Sequence, residues 1–334
     1  MTTIDLTHGS GGRAMHRLIK DVFAQAFDNH ILAQGNDQAA FDVAGGRMVM
    51  STDGFVISPL FFPGGDIGSL AVHGTVNDVA LAGAKPLYLS AGFIIEEGFP
   101  LSDLVTIAHS MARAAQEAGV WIITGDTKVV ERGKGDGVFI TTTGVGVVPP
   151  GLELSGDKIR PGDAILVSGT MGDHGVAVLS QREGLSFETQ ILSDCASLNH
   201  LIADMVAAVP TLRCLRDPTR GGLAATLNEL AHQSGVGMAV QESAIPVRPE
   251  VAGACELLGL DPLNVANEGK LVAFCPPEDA ERLLTVLRGH PLGKDAAIIG
   301  HALDDPRCFV RMETRMGGVR MIDWLSGEQL PRIC

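Results

Sequence analysis

Apolar positions recur along this chain with two periods, and glycine or proline closes most of the runs. After the opening loop Gly9-Ser10-Gly11-Gly12, the spacing over 13–26 predicts an amphipathic helix, and the run RMVMSTDGFV predicts a buried strand ending on Asp53. SLAVHGTVNDVALAGAKP has helical spacing and stops at Gly83 and Pro86. A further helix is expected from an N-cap at Ser102 to Gly119, followed by the strand VWIIT and then GDTKVV, and VFITTTGVGVV reads as a further strand. Around 147–163 the pattern lapses into Pro, Gly and charge, the expected domain boundary. Beyond it, DAILVSG and KLVAFCP read as strands, whereas SLNHLIADMVAAV, GGLAATLNELAHQSG and EDAERLLTVLRG read as helices.

Each half therefore mixes strands with helices, which predicts an α/β protein of two domains. The expected division is a glycine-rich loop and helix over 1–40, a first domain over 41–150, a second over 151–322, and a flexible tail over 323–334. No element is predicted in that tail, whose eleven residues after Asp323 span up to about 35–40 Å when extended.

Composition sharpens this picture. At 334 residues the chain exceeds the usual single-core size, and 46% hydrophobic residues are ample for burial. A net charge of -14 makes nucleic acid or an anionic membrane a poor partner, while a nucleotide carried with a divalent cation stays compatible. The start MTTIDLTHGS lacks the basic and apolar regions of a signal peptide, and no apolar run is long enough to span a bilayer, so the expected location is cytoplasmic. Six cysteines without CxxC spacing argue against a zinc site and predict free thiols in a reducing compartment. Cys255 and Cys275 sit in apolar runs and read as core residues. Cys334, the last residue, has no such company, and prenylation needs its cysteine elsewhere.

Carboxylates beside small residues supply the candidate chemistry. Asp37, Asp53, Asp78, Asp126 and Asp217 each stand at a turn or strand end, positions that suit a hard cation with oxygen ligands such as Mg²⁺. Any one of them reads equally well as a turn cap, but the set is harder to dismiss. The loops HGSGGRAM and DPTRGGL precede helices and offer backbone N–H groups to a phosphate, although neither is a Walker loop. GTMGDHG has the wrong glycine spacing for a dinucleotide loop and reads rather as close packing. Lys128, two residues after Asp126, is a candidate to offset charge in phosphoryl transfer, against a solvated surface lysine. Glu268 in NEGKLV is a candidate general base, against a helix cap. His73 reads as a core or surface residue.

In combination, HGSGG, STDGF, TVNDVA, GDTKVV, SGTMGDHG, DPTRGG, NEGKLV, HPLGKDAAIIG and the closing PRIC make the chain similar to the HypE family of hydrogenase maturation factors. That family belongs to the ATP-dependent superfamily of aminoimidazole ribonucleotide synthetase, selenophosphate synthetase and thiamine monophosphate kinase. The resemblance implies a homodimer built through the first domain's sheet, with ATP bound between the domains. It further implies that Cys334 receives a carbamoyl group from a HypF partner. ATP-dependent dehydration then yields a thiocyanate, whose cyano group passes to iron on a HypC–HypD complex. On this reading Gly9, Ser10, Gly11, Gly12, Asp53, Asn77, Asp126, Thr127 and Asp217 bind ATP; Asp37, Asp53, Asp78 and Asp126 hold Mg²⁺; and Cys334, Lys128 and Glu268 are catalytic. Two alternatives stay open: another phosphoryl-transfer enzyme of the superfamily, and an ATP-binding scaffold whose terminal cysteine ligates metal.

Overall fold

The computed structural model describes residues 3–5, 18–29, 46–185, 190–323 and 332–334. The loop Gly9 to Gly12 and Asp37 lie outside these residues, as does most of the tail.

The first domain is a four-stranded sheet in the order β1-β6-β4-β5 with helices on one face. Its strands are β1 (Arg47–Phe55), β4 (Lys85–Glu96), β5 (Trp121–Val130) and β6 (Val138–Val148), with a small hairpin of β2 (Phe61–Phe62) and β3 (Gly65–Asp66). Helix α1 (Ile67–Leu81) starts with a capping box: Asp66 Oδ1 accepts from the backbone of Gly68 and Ser69, and Ser69 Oγ returns a bond to the Asp66 backbone. Almost all of α1 is buried on every side, because it lies between the sheet and the second domain. Helix α2 (Leu101–Ala118) is amphipathic and ends on left-handed Gly119; its N-cap is Pro100 rather than the expected Ser102.

Two strand expectations are corrected. Residues 121–124 and GDTKVV form one continuous strand, β5, because Gly125 lets it run against β4 where a Cβ would stand 2.2 Å from the Ala91 carbonyl oxygen. And β1 is not a buried strand: apart from Phe55, its inward face is only half-buried. Its other face, with Met48 and Met50, joins Ile94 and Trp121 in an open, partly apolar sheet surface.

The second domain is a seven-stranded sheet in the order β13-β12-β9-β11-β7-β10-β8. Its elements in chain order are β7 (Ala164–Val167), α3 (Asp173–Arg182), α4 (Asn199–Ala208), β8 (Cys214–Arg216), α5 (Gly222–Ser234), β9 (Gly237–Gln241), α6 (Pro249–Leu258), β10 (Val272–Cys275), α7 (Ala280–Gly289), β11 (Ala297–Leu303), β12 (Val310–Glu313) and β13 (Val319–Ile322). The central strands β7 and β10 are buried on both faces: Ile165, Val167 and Phe274 pack with α5, while Leu166, Ala273 and Cys275 pack with α4 and α7. Cys255 is likewise buried, and all six cysteines are free thiols. Among the described residues no helix is long and apolar enough to cross a membrane.

Polar bonds lock the domains together. From α1, the Asn77 amide donates to the carbonyls of Ala196 and Glu268 at 3.0 and 3.1 Å and accepts from the Leu198 backbone at 2.7 Å. Buried His73 bonds Ser197 Oγ at 2.6 Å, and burial pushes its pKa down to about 4.

Candidate active site

A cavity of about 630 Å³ opens between the domains, in the size range of small-molecule sites. Strand β1 and helix α1 supply Asp53 and Asp78; the loop after β8 supplies Asp217 and Arg220; the segment before β10 supplies Glu268; and Cys334 closes one side.

The carboxylates are held by neighbours. Thr75 Oγ1 donates to Asp53 Oδ2 at 2.7 Å, and Ser51 Oγ donates to Asp78 Oδ2 at 2.7 Å. The loops of Asp217 and Glu268 are stapled where Asn267 donates its backbone and side-chain N–H groups to the Pro218 carbonyl at 3.0 and 3.1 Å. Gly222, with φ of 61°, reinforces this staple, since any Cβ there would fall 2.5 Å from the Leu263 carbonyl oxygen.

Crowding of like charge in a poorly solvated cleft sets the electrostatics. Burial and the Asp78 carboxylate raise Asp217 to about 7, and burial together with Asp53 raises Asp78. Glu268 is only 4% exposed, and its Oε1 has no hydrogen-bond partner. Burial first, then Asp217, Asp194, Asp78 and Asp53, push its carboxyl well above the usual range. The Cys334 thiol is pushed up to about 12 by burial and Glu268, against the Arg220 guanidinium, which lowers it.

Of the sequence candidates, Asp53, Asp78, Asp217, Glu268 and Cys334 converge on this cavity. Asn77 does not line it: its side chain is buried and fully engaged in joining the domains. Asp126 and Lys128 pair with each other at 3.1 Å, both well exposed on β5, at the opposite edge of the sheet from β1. Thr127 is buried on that same strand. The expectation that these three meet the phosphates alongside Asp53 therefore does not hold within one chain. The loop 169–175 makes no ligand cradle either, since it packs inward with Asp173 and His174 fully buried. Sequence reasoning missed Ser51 and Thr75, whose hydroxyls reach the aspartates, and Arg220, which stood inside the quoted DPTRGG run.

The donor set suits a magnesium nucleotide. Among the described residues no three ligating groups form a closed metal cage. Mg²⁺ needs none, because it keeps several waters and takes one or two carboxylates plus phosphate oxygens. The mutual repulsion among Asp53, Asp78, Asp217 and Glu268 is what a bound cation would relieve.

Comparison with known proteins identifies the family. Residues 35–148 match the family described as AIR synthase related protein, N-terminal domain, and 160–313 match its C-terminal domain. Carbamoyl dehydratase HypE of Azotobacter vinelandii is 69% identical, covering 99% of this chain and 97% of its own. A crystal structure of the hydrogenase maturation protein HypE in complex with ATP superposes with a TM-score of 0.96 at 54% identity, covering 99% of this chain and all of the other. The chain seen in a HypE–HypF complex superposes at 0.82 with 50% identity, covering 92% of this chain and 99% of its own. With both AIR synthase related domains in place and such identity along its whole length, the chain belongs to the HypE family.

Proposed function

We propose that this protein is an ATP-dependent carbamoyl dehydratase that converts an S-carbamoyl group on Cys334 into a thiocyanate. The observation that carries this reading is that Cys334 lies in one cavity with Glu268, whose Oε1 is unpartnered, and with the carboxylates of Asp53, Asp78 and Asp217.

Hydroxide is a poor leaving group from an amide. The carbamoyl oxygen must first take up the γ-phosphoryl group of ATP, releasing ADP. Glu268 then removes protons from the nitrogen while the C–O bond breaks. The nitrogen gives up both protons, its electrons complete the C≡N bond, and the oxygen leaves in phosphate. Asp53, Asp78 and Asp217 would hold Mg²⁺, which offsets phosphate charge. Poor solvation around Glu268 limits competing hydrolysis of the thiocarbamate.

A HypF partner would supply the carbamoyl group, as the relative's HypE–HypF complex suggests, and a HypC–HypD complex would take the cyano group. The open sheet face carrying Met48, Met50, Ile94 and Trp121 is the surface a second copy would cover. Asp126 and Lys128 stand at the margin of that face, so any role for them at the phosphates belongs to a second copy's site.

The test is the intact mass of the peptide carrying Cys334 after carbamoylation, followed with and without Mg·ATP. Loss of one water only with ATP is expected. An unmodified Cys334 in a protein that still binds ATP would replace this reading with the nucleotide-binding scaffold.

A further inference from the structure

Residues 332–334 are gripped well beyond the carboxylates. The Arg332 carbonyl accepts from Ser58 N at 3.2 Å and from the Arg182 guanidinium at 2.7 Å, while the Cys334 carbonyl accepts from Val56 N at 3.1 Å. The Arg332 side chain pairs with Asp136 and donates to the Val56 carbonyl. Between these holds, Ile333 is buried at 4% exposure in the first domain's core, and its carbonyl meets His174 Nε2 at 2.8 Å.

His174 is fully buried near the start of α3, and the chemistry above makes no use of it. The surrounding bonds fix its protons. A carbonyl oxygen only accepts, so Nε2 carries the hydrogen. Burial keeps the ring neutral, so Nδ1 is the acceptor, and it faces Ser193 Oγ at 2.8 Å. That hydroxyl is free to donate to the ring because its own acceptor side takes the Cys195 N–H at 3.1 Å. Phe62 closes the ring edge-on at 5.5 Å, and among the described residues Asp194 is the one carboxylate whose charge bears on it.

The segment that orients the imidazole also sets the candidate base. Asp194 Oδ1 accepts from the Glu268 backbone N–H at 3.0 Å, and Gly269 lies so close to Asp194 that a Cβ would stand 1.8 Å from its carbonyl oxygen. Successive residues of one strap thus hold the imidazole that receives the tail and the backbone of the group it must meet.

We propose that His174 is a positioning residue for the dehydration: its Nε2–H, fixed by Ser193, latches the Ile333 carbonyl and so seats Cys334 against Glu268. When the tail leaves, a buried N–H loses the carbonyl that accepts from it, and this penalty biases the tail toward the cavity. This inference rests on the reading that Cys334 carries the reacting group.

The test uses the full chain and two readouts. Iodoacetamide alkylation of Cys334 at pH 8, mapped by peptide mass, reports the undocked tail, since the docked thiol is pushed up to about 12. Single-turnover mass loss of carbamoylated protein with Mg·ATP reports the reaction. His174→Leu is expected to speed Cys334 alkylation roughly 10- to 100-fold and to slow the mass loss by a similar factor, with ATP affinity unchanged. His174→Gln can place an amide N–H where Nε2 stands and should restore most of both.

If His174→Leu also exposes Cys275 to alkylation, the variant has unfolded. Ser193→Ala then decides, with a smaller rise at Cys334 expected. Wild-type alkylation of Cys334 in a folded His174→Leu or Ser193→Ala protein overturns the latch. Faster alkylation with undiminished dehydration overturns its positioning role. A wild-type protein that never loses water would instead sink the dehydratase reading, while the alkylation series still judges the contact.

Discussion

Glu268 takes its chemistry from its company. Its backbone is tied on both sides, to Asp194 through its N–H and to Asn77 through its carbonyl, so the loop is held without help from the side chain. Glu268→Gln should therefore fold, with a Tm close to the parent's, because a buried carboxyl already pushed toward its neutral form is replaced by a neutral amide of the same shape. ATP-dependent mass loss at Cys334 should slow roughly 10²- to 10⁴-fold, while carbamoylation persists. Parent-like dehydration would place the base elsewhere. Asp217 offers a pH test of sign. Its folded value of about 7 lies above the ordinary carboxylate range, so the protonated form favours folding. That contribution is complete at low pH and is lost as pH rises through about 7. Melting of nucleotide-free protein between pH 5 and 8 should show stability falling with pH, and Asp217→Asn should flatten the trend. A slope unchanged in the variant would remove Asp217 from this role.

Elements with one strong signal were legible in the sequence. Helix α2 has an apolar stripe and a terminal glycine, and β7 and β10 are short apolar runs, so their burial follows from pattern alone. The first half of β5 was legible as the strand VWIIT, but its continuation past Gly125 was not, because nothing shows the need for a missing side chain there until β4 is seen beside it. Within one chain that continuation sets Asp126 and Lys128 across the sheet from Asp53. The five groups that do converge were visible by residue type and by neighbouring small residues, whereas Ser51, Thr75 and His174 act through partners distant in sequence. Asn77 failed for a related reason. On a helix buried on every side, a polar residue must be satisfied by whatever packs against it, here the second domain's backbone. Asn77→Ala leaves that backbone unpaired and should cost roughly 2–4 kcal/mol in urea unfolding. Unchanged stability with lost ATP binding would return Asn77 to the nucleotide.

At the scale of the whole molecule, one sheet face is left open while its opposite face is packed by α1 and α2. A charge there should separate copies without disturbing the chain's own core. Met50 is 72% exposed, so Met50→Glu is expected to fold normally and sediment as a monomer where the parent sediments as a dimer. A parent that is monomeric at all concentrations would dismiss the sheet as the interface. The docked position of Cys334 has a kinetic corollary. Under the proposed reaction, a group tethered to its own catalyst arrives without a collision, so the dehydration should be first-order in loaded protein. Dilution of the assembled protein should then leave the rate constant unchanged, the Michaelis constant for the carbamoyl group would lose its meaning, and each loading would permit one turnover. Output is then metered by how often the tail is reloaded and relieved rather than by saturation of the cavity.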